Sequence, residues 1–214
     1  AKCHEAGQIA VDTETDALSS TASGLVGISL ATAPGEACYI PLAHVDPQGT
    51  GDMFDTGAAP EQIPMDQALK ALKPLLEDPA VLKIGQNFKY DLGVLSRYGI
   101  DVAPYDDTML ISYVMDAGLH GHGMDTLAEL HLGHTCIPFK EICGTGKNQI
   151  TFDKVPLDKA TLYAAEDADI TLRLWEILKP AMIAKKMATV YETLERPMVD
   201  VLSKMERTGI KVDP

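Results

Sequence analysis

Apolar and polar residues alternate over 8–14, where Ile9 and Val11 flank Ala10, and this period of two predicts a strand. "GLVGISLAT" (24–32) and "ACYIPL" (37–42) predict two more, separated by Ser/Gly and Pro/Gly punctuation. Such short connections favour antiparallel neighbours. Residues 43–62 are polar and rich in Gly and Pro, as in a surface loop. The period then changes. Leu69, Leu72, Leu75 and Leu76 keep helical spacing within 64–78, "VLKIG" (81–85) predicts a short buried strand, and 89–99 an amphipathic helix ended by Gly99. Helices are expected at 106–116 and 124–132. Residues 133–156, with Gly133, Pro138, Gly144, Gly146 and Pro156, are expected to be irregular. A long helix opens at Asp158 and another covers about 187–207. Three antiparallel strands followed by helices and a further strand imply a mixed-sheet α/β domain.

Composition adds limits. At 46% hydrophobic and 23% charged, the 214 residues can bury a substantial core. No run of about 18 apolar residues and no charged-then-apolar leader occurs, so neither a membrane span nor secretion is expected. Cys3, Cys38, Cys136 and Cys143 are scattered and form no CxxC pair, which suits reduced thiols in a cytosolic protein. The net charge of −13 argues against gripping a long duplex by neutralising phosphates. It does not exclude a protein that holds cations or handles a short strand end.

The acids are placed unevenly. Asp12 and Glu14, two apart in a strand, share one face, where their like charges repel. Asn87 and Asp91 are four apart where a helix begins, and Tyr163 and Asp167 are four apart on a later one. Carboxylates gathered without convergent Lys or Arg call for a hard cation such as Mg²⁺ or Mn²⁺. An EF-hand reading of "DTETDAL" fails, because Ala17 and Ser23 stand where that loop needs Gly and Glu. A strand end with solvated acids remains the alternative. A competing zinc site can be drawn from His131, His134, Cys136 and Cys143, but the cysteine spacing is not a usual ligand loop. Surface histidines and buried thiols are the expectation there.

"VDTETDAL", "IGQNFKYDLGVL" and "YAAEDADITL" resemble, in order and approximate spacing, the three exonuclease motifs of the proofreading domain of bacterial DNA polymerase I. "MDTLAEL", "GTGKNQITF" and "LSKMERTGIKVDP" extend the similarity from about Gln8 to Pro214. The resemblance implies an RNase H-like mixed sheet flanked by helices and a metal-dependent 3′→5′ exonuclease releasing 5′-mononucleotides from DNA. Its catalytic residues would be Asp12, Glu14, Asp91, Tyr163 and Asp167. Asp12, Glu14 and Asp167 would hold a first divalent ion, Asp12 and Asp91 a second; Mg²⁺ or Mn²⁺ is expected, with Zn²⁺ an alternative at the first site. Tyr163 would orient water, since an ordinary phenol is a poor base at neutral pH.

By the same resemblance, Leu18 and Phe139 would pack against terminal bases, and Gln86, Asn87, Lys89 and Tyr90 would approach the backbone of a single-stranded DNA 3′ end. One departure stands out: a basic residue is expected near "GLHGHGMD", where the chain has Gly121 between His120 and His122. Residues 1–180 would form the nuclease and 181–214 a helix and linker leading into a polymerase domain of the same longer chain. A cytoplasmic bacterial protein, monomeric on its own, is expected, although the last helix could expose an apolar face. An RNase D-like exoribonuclease and a catalytically silent module are the rival readings.

Overall fold

The computed structural model describes residues 1–45 and 60–211. Most of the loop expected at 43–62, and the terminal residues 212–214, lie outside them. Within the described residues the chain runs α1 (Lys2–Ala6), β1 (Gln8–Thr15), β2 (Leu25–Ala33), β3 (Glu36–Pro41), α2 (Met65–Leu76), β4 (Leu82–Gly85), α3 (Lys89–Ser96) and β5 (Tyr105–Asp107). There follow α4 (Thr108–Asp116), α5 (Met124–Leu132), α6 (Phe139–Cys143), α7 (Leu157–Ala184), α8 (Ala188–Val190) and α9 (Arg196–Thr208). The sheet order is β3-β2-β1-β4-β5. β1–β2 and β2–β3 are antiparallel, whereas β1–β4 and β4–β5 are parallel.

β1 sits at the centre of this mixed sheet and is covered on both sides. Ile9 and Val11 enter a core with Leu72, Leu75 and Leu76 of α2 and Leu92, Val94 and Leu95 of α3. Ala10 points the other way, packing with Ala31, Ile84, Ala168 and Leu172. Each fully buried Leu, Ile or Val contributes about 1.5–3 kcal/mol, so these two layers fix the register of β1. The layer on Ala10's side is α7, whose buried Ala160, Ala164 and Ala168 form a stripe of small residues at four-residue spacing. Small side chains on both surfaces let that helix lie close to the sheet.

Three short elements escaped the pattern, α6 among them, which lies within the stretch 133–156 expected to be irregular. α1 has no buried residue to reveal it. β5 is the tripeptide Tyr-Asp-Asp, buried throughout, and it occupies the start of the helix expected at 106–116. Its acids are fully partnered. Asp106 receives Trp175 Nε1 (2.8 Å), Tyr191 Oη (3.0 Å) and the Lys179 ammonium (3.0 Å). Asp107 caps α4 by accepting from the N–H groups of Met109 and Leu110.

The helix expected at 187–207 is broken into α8, a π-helical turn over Tyr191–Glu195, and α9. The division expected at residue 180 falls inside α7. Beyond it, Tyr191 is wholly buried, and Val199 joins the core shared by α2 and α3. The other side of α9 carries exposed Met198, Val201, Leu202 and Met205, the apolar face foreseen for it.

Candidate active site

β1 ends at a cleft of about 690 Å³ lined by Asp12, Glu14, Leu18, Tyr90, Phe139, Gln149, Ile150, Phe152, Tyr163 and Asp167. Because Ala10 faces α7, Asp12 and Glu14, at successive steps of two, face it as well, and Asp167 is the acid α7 presents to them. Carboxylate oxygens of Asp12, Glu14 and Asp167 all lie within 4.8 Å of one another. Asp91 arrives from the opposite layer. Its Oδ1 accepts from Thr13 N (2.9 Å) and Thr13 Oγ1 (2.5 Å), so the strand residue between the two acids ties α3 to the cluster.

Such a cluster is electrostatically costly. Burial pushes the Asp12 carboxyl up to about 7, offset in part by a hydrogen bond from Thr13. Burial, then the charges of its neighbours, holds Glu14 well above the ordinary carboxylate range; Asp91 and Asp167 shift the same way for the same reasons. Glu14 Oε1 and Asp167 Oδ1 are buried without a hydrogen-bond partner among the described residues. Unpartnered buried carboxylate oxygens, their pKa values raised by burial and then by neighbouring charge, form a donor set that fits a hard divalent cation. Tyr163, one helical turn before Asp167, has its phenol pushed upward by burial and by Asp167, Glu14 and Asp12.

The glycine opposite Glu14 in the β1–β2 register is Gly27. A Cβ there would fall 2.1 Å from Tyr39 Oη, so the missing side chain admits the Tyr39 ring beside the acids. Tyr39 in turn meets His44 (Oη to Nε2, 2.8 Å) and Phe152, and Phe152 meets Tyr163 with ring centroids 5.9 Å apart. An aromatic wall therefore backs the cleft.

The substrate residues expected from the sequence divide into two groups. Leu18 (94% exposed), Phe139 (41% exposed) and Tyr90 line the cleft. Tyr90 Oη donates to Ala17 O (2.8 Å) and meets Thr15 Oγ1 (2.5 Å), pinning the turn that carries Leu18. Gln86, Asn87 and Lys89 lie elsewhere. Gln86 is engaged by Thr108 Oγ1 and the His122 carbonyl. Asn87 precedes α3 with φ of 56°, so the helical spacing that would set it beside Asp91 does not apply; its N–H donates to Asp107. Lys89 pairs with Glu206 of α9 and, with Asn87, lines a separate small cavity against that helix. Sequence reasoning did not assign Thr13 or the lining residues Gln149 and Ile150, although the latter two fall within "GTGKNQITF".

The zinc reading is redistributed. His134 and Cys136 gather with Glu166, while Cys143 belongs to the aromatic cluster with Tyr39 and Phe152, and the His131 ring neighbours His120.

A mixed sheet with this strand order, presenting acids from its central strand and two flanking helices, defines an RNase H-like exonuclease fold. Escherichia coli RNase D, an exoribonuclease involved in structured RNA processing, shares it with a TM-score of 0.59 over 97% of this chain and 48% of that one, at 17% identity. The family model for the 3′-5′ exonuclease domain of family A DNA polymerases matches residues 1–183. DNA polymerase I of Rhizobium leguminosarum is 53% identical over 97% of this chain and 21% of its own length; that of Pseudomonas aeruginosa is 44% identical over 99% and 23%. The chain belongs to this 3′→5′ exonuclease family, as a domain of the DNA polymerase I type. It spans about a fifth of the length of these relatives. Among the described residues no helix is long and apolar enough to cross a membrane.

Proposed function

We propose that the cleft removes nucleotides one at a time from the 3′ end of single-stranded DNA as 5′-mononucleotides, using two divalent ions, Mg²⁺ or Mn²⁺. The observation that carries this reading is the convergence of Asp12, Glu14 and Asp167 with two buried carboxylate oxygens unpartnered. Asp12, Glu14 and Asp167 would hold one ion, and Asp12 with Asp91 the other. When bound, such ions make water nucleophilic at neutral pH and stabilise the leaving 3′ oxygen.

The remaining work falls to the chain itself. Tyr163, whose phenol stays protonated, orients water through its hydroxyl and does not act as the base. Thr13 holds Asp91 in place through two hydrogen bonds. Leu18 and Phe139 border the cleft and offer apolar surface to the last bases, with Tyr90 fixing the Leu18 turn. Gln86, Asn87 and Lys89 would act on the strand further from the scissile bond, from the side of the molecule where Lys89 meets α9. Residues 181–214 would lead into a polymerase domain that supplies most duplex affinity, in a bacterial cytoplasmic protein.

RNase D-like trimming of RNA is the second reading, favoured by the shared fold alone. DNA and RNA oligonucleotides of one sequence, 3′-labelled and offered with Mn²⁺, separate the two. Release of labelled deoxynucleoside 5′-monophosphate, faster than the ribonucleotide, is expected. Faster release from RNA would move the chain to the second reading.

A further inference from the structure

Phe139 reaches the cleft from a segment with little regular structure. Residues 133–138 leave α5 and lead to α6, which begins at Phe139, and the Phe139 ring lies 6.1 Å from that of Tyr163, edge to face. This segment is tied to α7 by one carboxylate. Glu166 Oε1 lies 2.8 Å from His134 Nε2, and Glu166 Oε2 accepts from Ile137 N–H at 2.6 Å. Glu166 directly precedes Asp167. Consecutive residues of a helix point about 100° apart, so α7 directs Asp167 into the acid cluster and Glu166 away from it, at the loop.

His134, Cys136 and Glu166 offer ligand atoms within 4.8 Å of one another, which invites a second metal site. Both oxygens of Glu166 are already engaged, however, one by His134 and the other by the Ile137 amide. The group is closed as a hydrogen-bonded clamp.

We propose that Glu166 is a positioning residue: through His134 and the Ile137 amide it holds the 133–138 loop so that Phe139 stands at a fixed height over the strand end. The proposal rests on the exonuclease reading above. It assigns Glu166 a role in substrate placement through geometry, distinct from any effect of its charge on the adjoining Asp167. Stacking on an aromatic contributes about 1–3 kcal/mol per base, so a tether that sets the height of Phe139 sets the hold on the strand end and acts on KM.

Two variants separate geometry from charge. Glu166→Gln keeps an oxygen to accept from Ile137 N–H and, with the His134 proton moved to Nδ1, an amide to donate to His134 Nε2, while losing the charge. Glu166→Ala loses both bonds. On a 5′-labelled oligonucleotide with Mn²⁺, Glu166→Ala is expected to raise KM about fivefold to tenfold with kcat moving less than about twofold, and Glu166→Gln to stay within about twofold of the parent. In a Phe139→Ala background, Glu166→Ala should add little, because the group it positions is gone. Equal losses in the Gln and Ala variants, a loss confined to kcat, or full additivity with Phe139→Ala would overturn the proposal. Amide exchange at Ile137 gives a readout independent of activity: protection should fall in Glu166→Ala and persist in Glu166→Gln. Unchanged protection in Glu166→Ala overturns the clamp. A parent chain that leaves DNA intact while Ile137 responds as stated would sink the exonuclease reading and leave the clamp standing.

Discussion

Thr13 donates both its backbone N–H and its hydroxyl to Asp91 Oδ1, at 2.9 and 2.5 Å. The residue between Asp12 and Glu14 thus fixes the acid that comes from the other side of the sheet, and two sequence motifs separated by 78 positions become one site. Thr13→Val keeps the shape and the N–H but removes the hydroxyl. A hydrogen bond to a charged group contributes about 1.5–3 kcal/mol, so Thr13→Val should lose stability on that order and, in chains that remain folded, slow single-turnover cleavage as Asp91 loses its support. An unchanged rate would mean that Asp91 needs no such support.

The acid cluster makes stability depend on pH in a direction set by its raised pKa values. Asp12 titrates near 7 when folded and near 3.8 when unfolded, so between these values the folded chain holds a proton that the unfolded chain has released. Stability without metal therefore falls as pH rises through that window, and Glu14, Asp91 and Asp167 act in the same sense. Divalent ions bound to the deprotonated cluster would reverse the loss. Mn²⁺ at about 100 times its Kd should add about 2.7 kcal/mol. Calorimetry is expected to show a larger Tm rise with Mn²⁺ at pH 8 than at pH 5; equal rises would contradict the linkage.

The antiparallel strands, the helical patterns of α2 and α7 and the acids that converge at the cleft were legible in the sequence. Their signal is local: Ile9, Ala10 and Val11 alternate, the leucines of α2 recur at helical spacing, and the acid motifs are contiguous. What was hidden depends on distant contacts. Nothing in Tyr105-Asp106-Asp107 resembles a buried strand until Trp175, Lys179 and Tyr191 are seen to satisfy Asp106. Asn87 reads as helical by spacing, yet its left-handed backbone places it before α3. Lys89 meets Glu206 only because α9 folds back onto α3.

That same network ties residues beyond 180 to the sheet. Tyr191 Oη donates to Asp106 and accepts from Asp107 N–H (2.9 Å), with its ring fully buried. Tyr191→Phe leaves those partners short and should cost about 1–3 kcal/mol. A chain ended at residue 180 should lose far more, melting well below the 214-residue protein in calorimetry. Equal melting temperatures would support a division at 180.

Phe139 and Leu18 differ in what their removal should do. Leu18 is 94% exposed, so Leu18→Ala should leave Tm unchanged while weakening hold on the strand end. Stacking on an aromatic contributes about 1–3 kcal/mol per base, so Phe139→Ala should raise KM for single-stranded DNA about fivefold to a hundredfold. Parent-like KM values in both variants would show that the bases sit elsewhere.

Tyr163→Phe separates orientation from base catalysis. The phenol is held far above neutral pH, so the variant should slow cleavage about tenfold to a hundredfold without changing the shape of the pH–rate profile. A profile that loses an ionisation would make Tyr163 a proton acceptor after all.

The most direct test of the acid cleft is digestion of a 5′-labelled single-stranded DNA with Mg²⁺ or Mn²⁺, beside an EDTA control and Asp167→Ala. A ladder shortening from the 3′ end, lost in both controls, is the predicted result. A folded parent chain that leaves the strand intact, or an Asp167→Ala variant that shortens it at the parent rate, would contradict the assignment of this cleft.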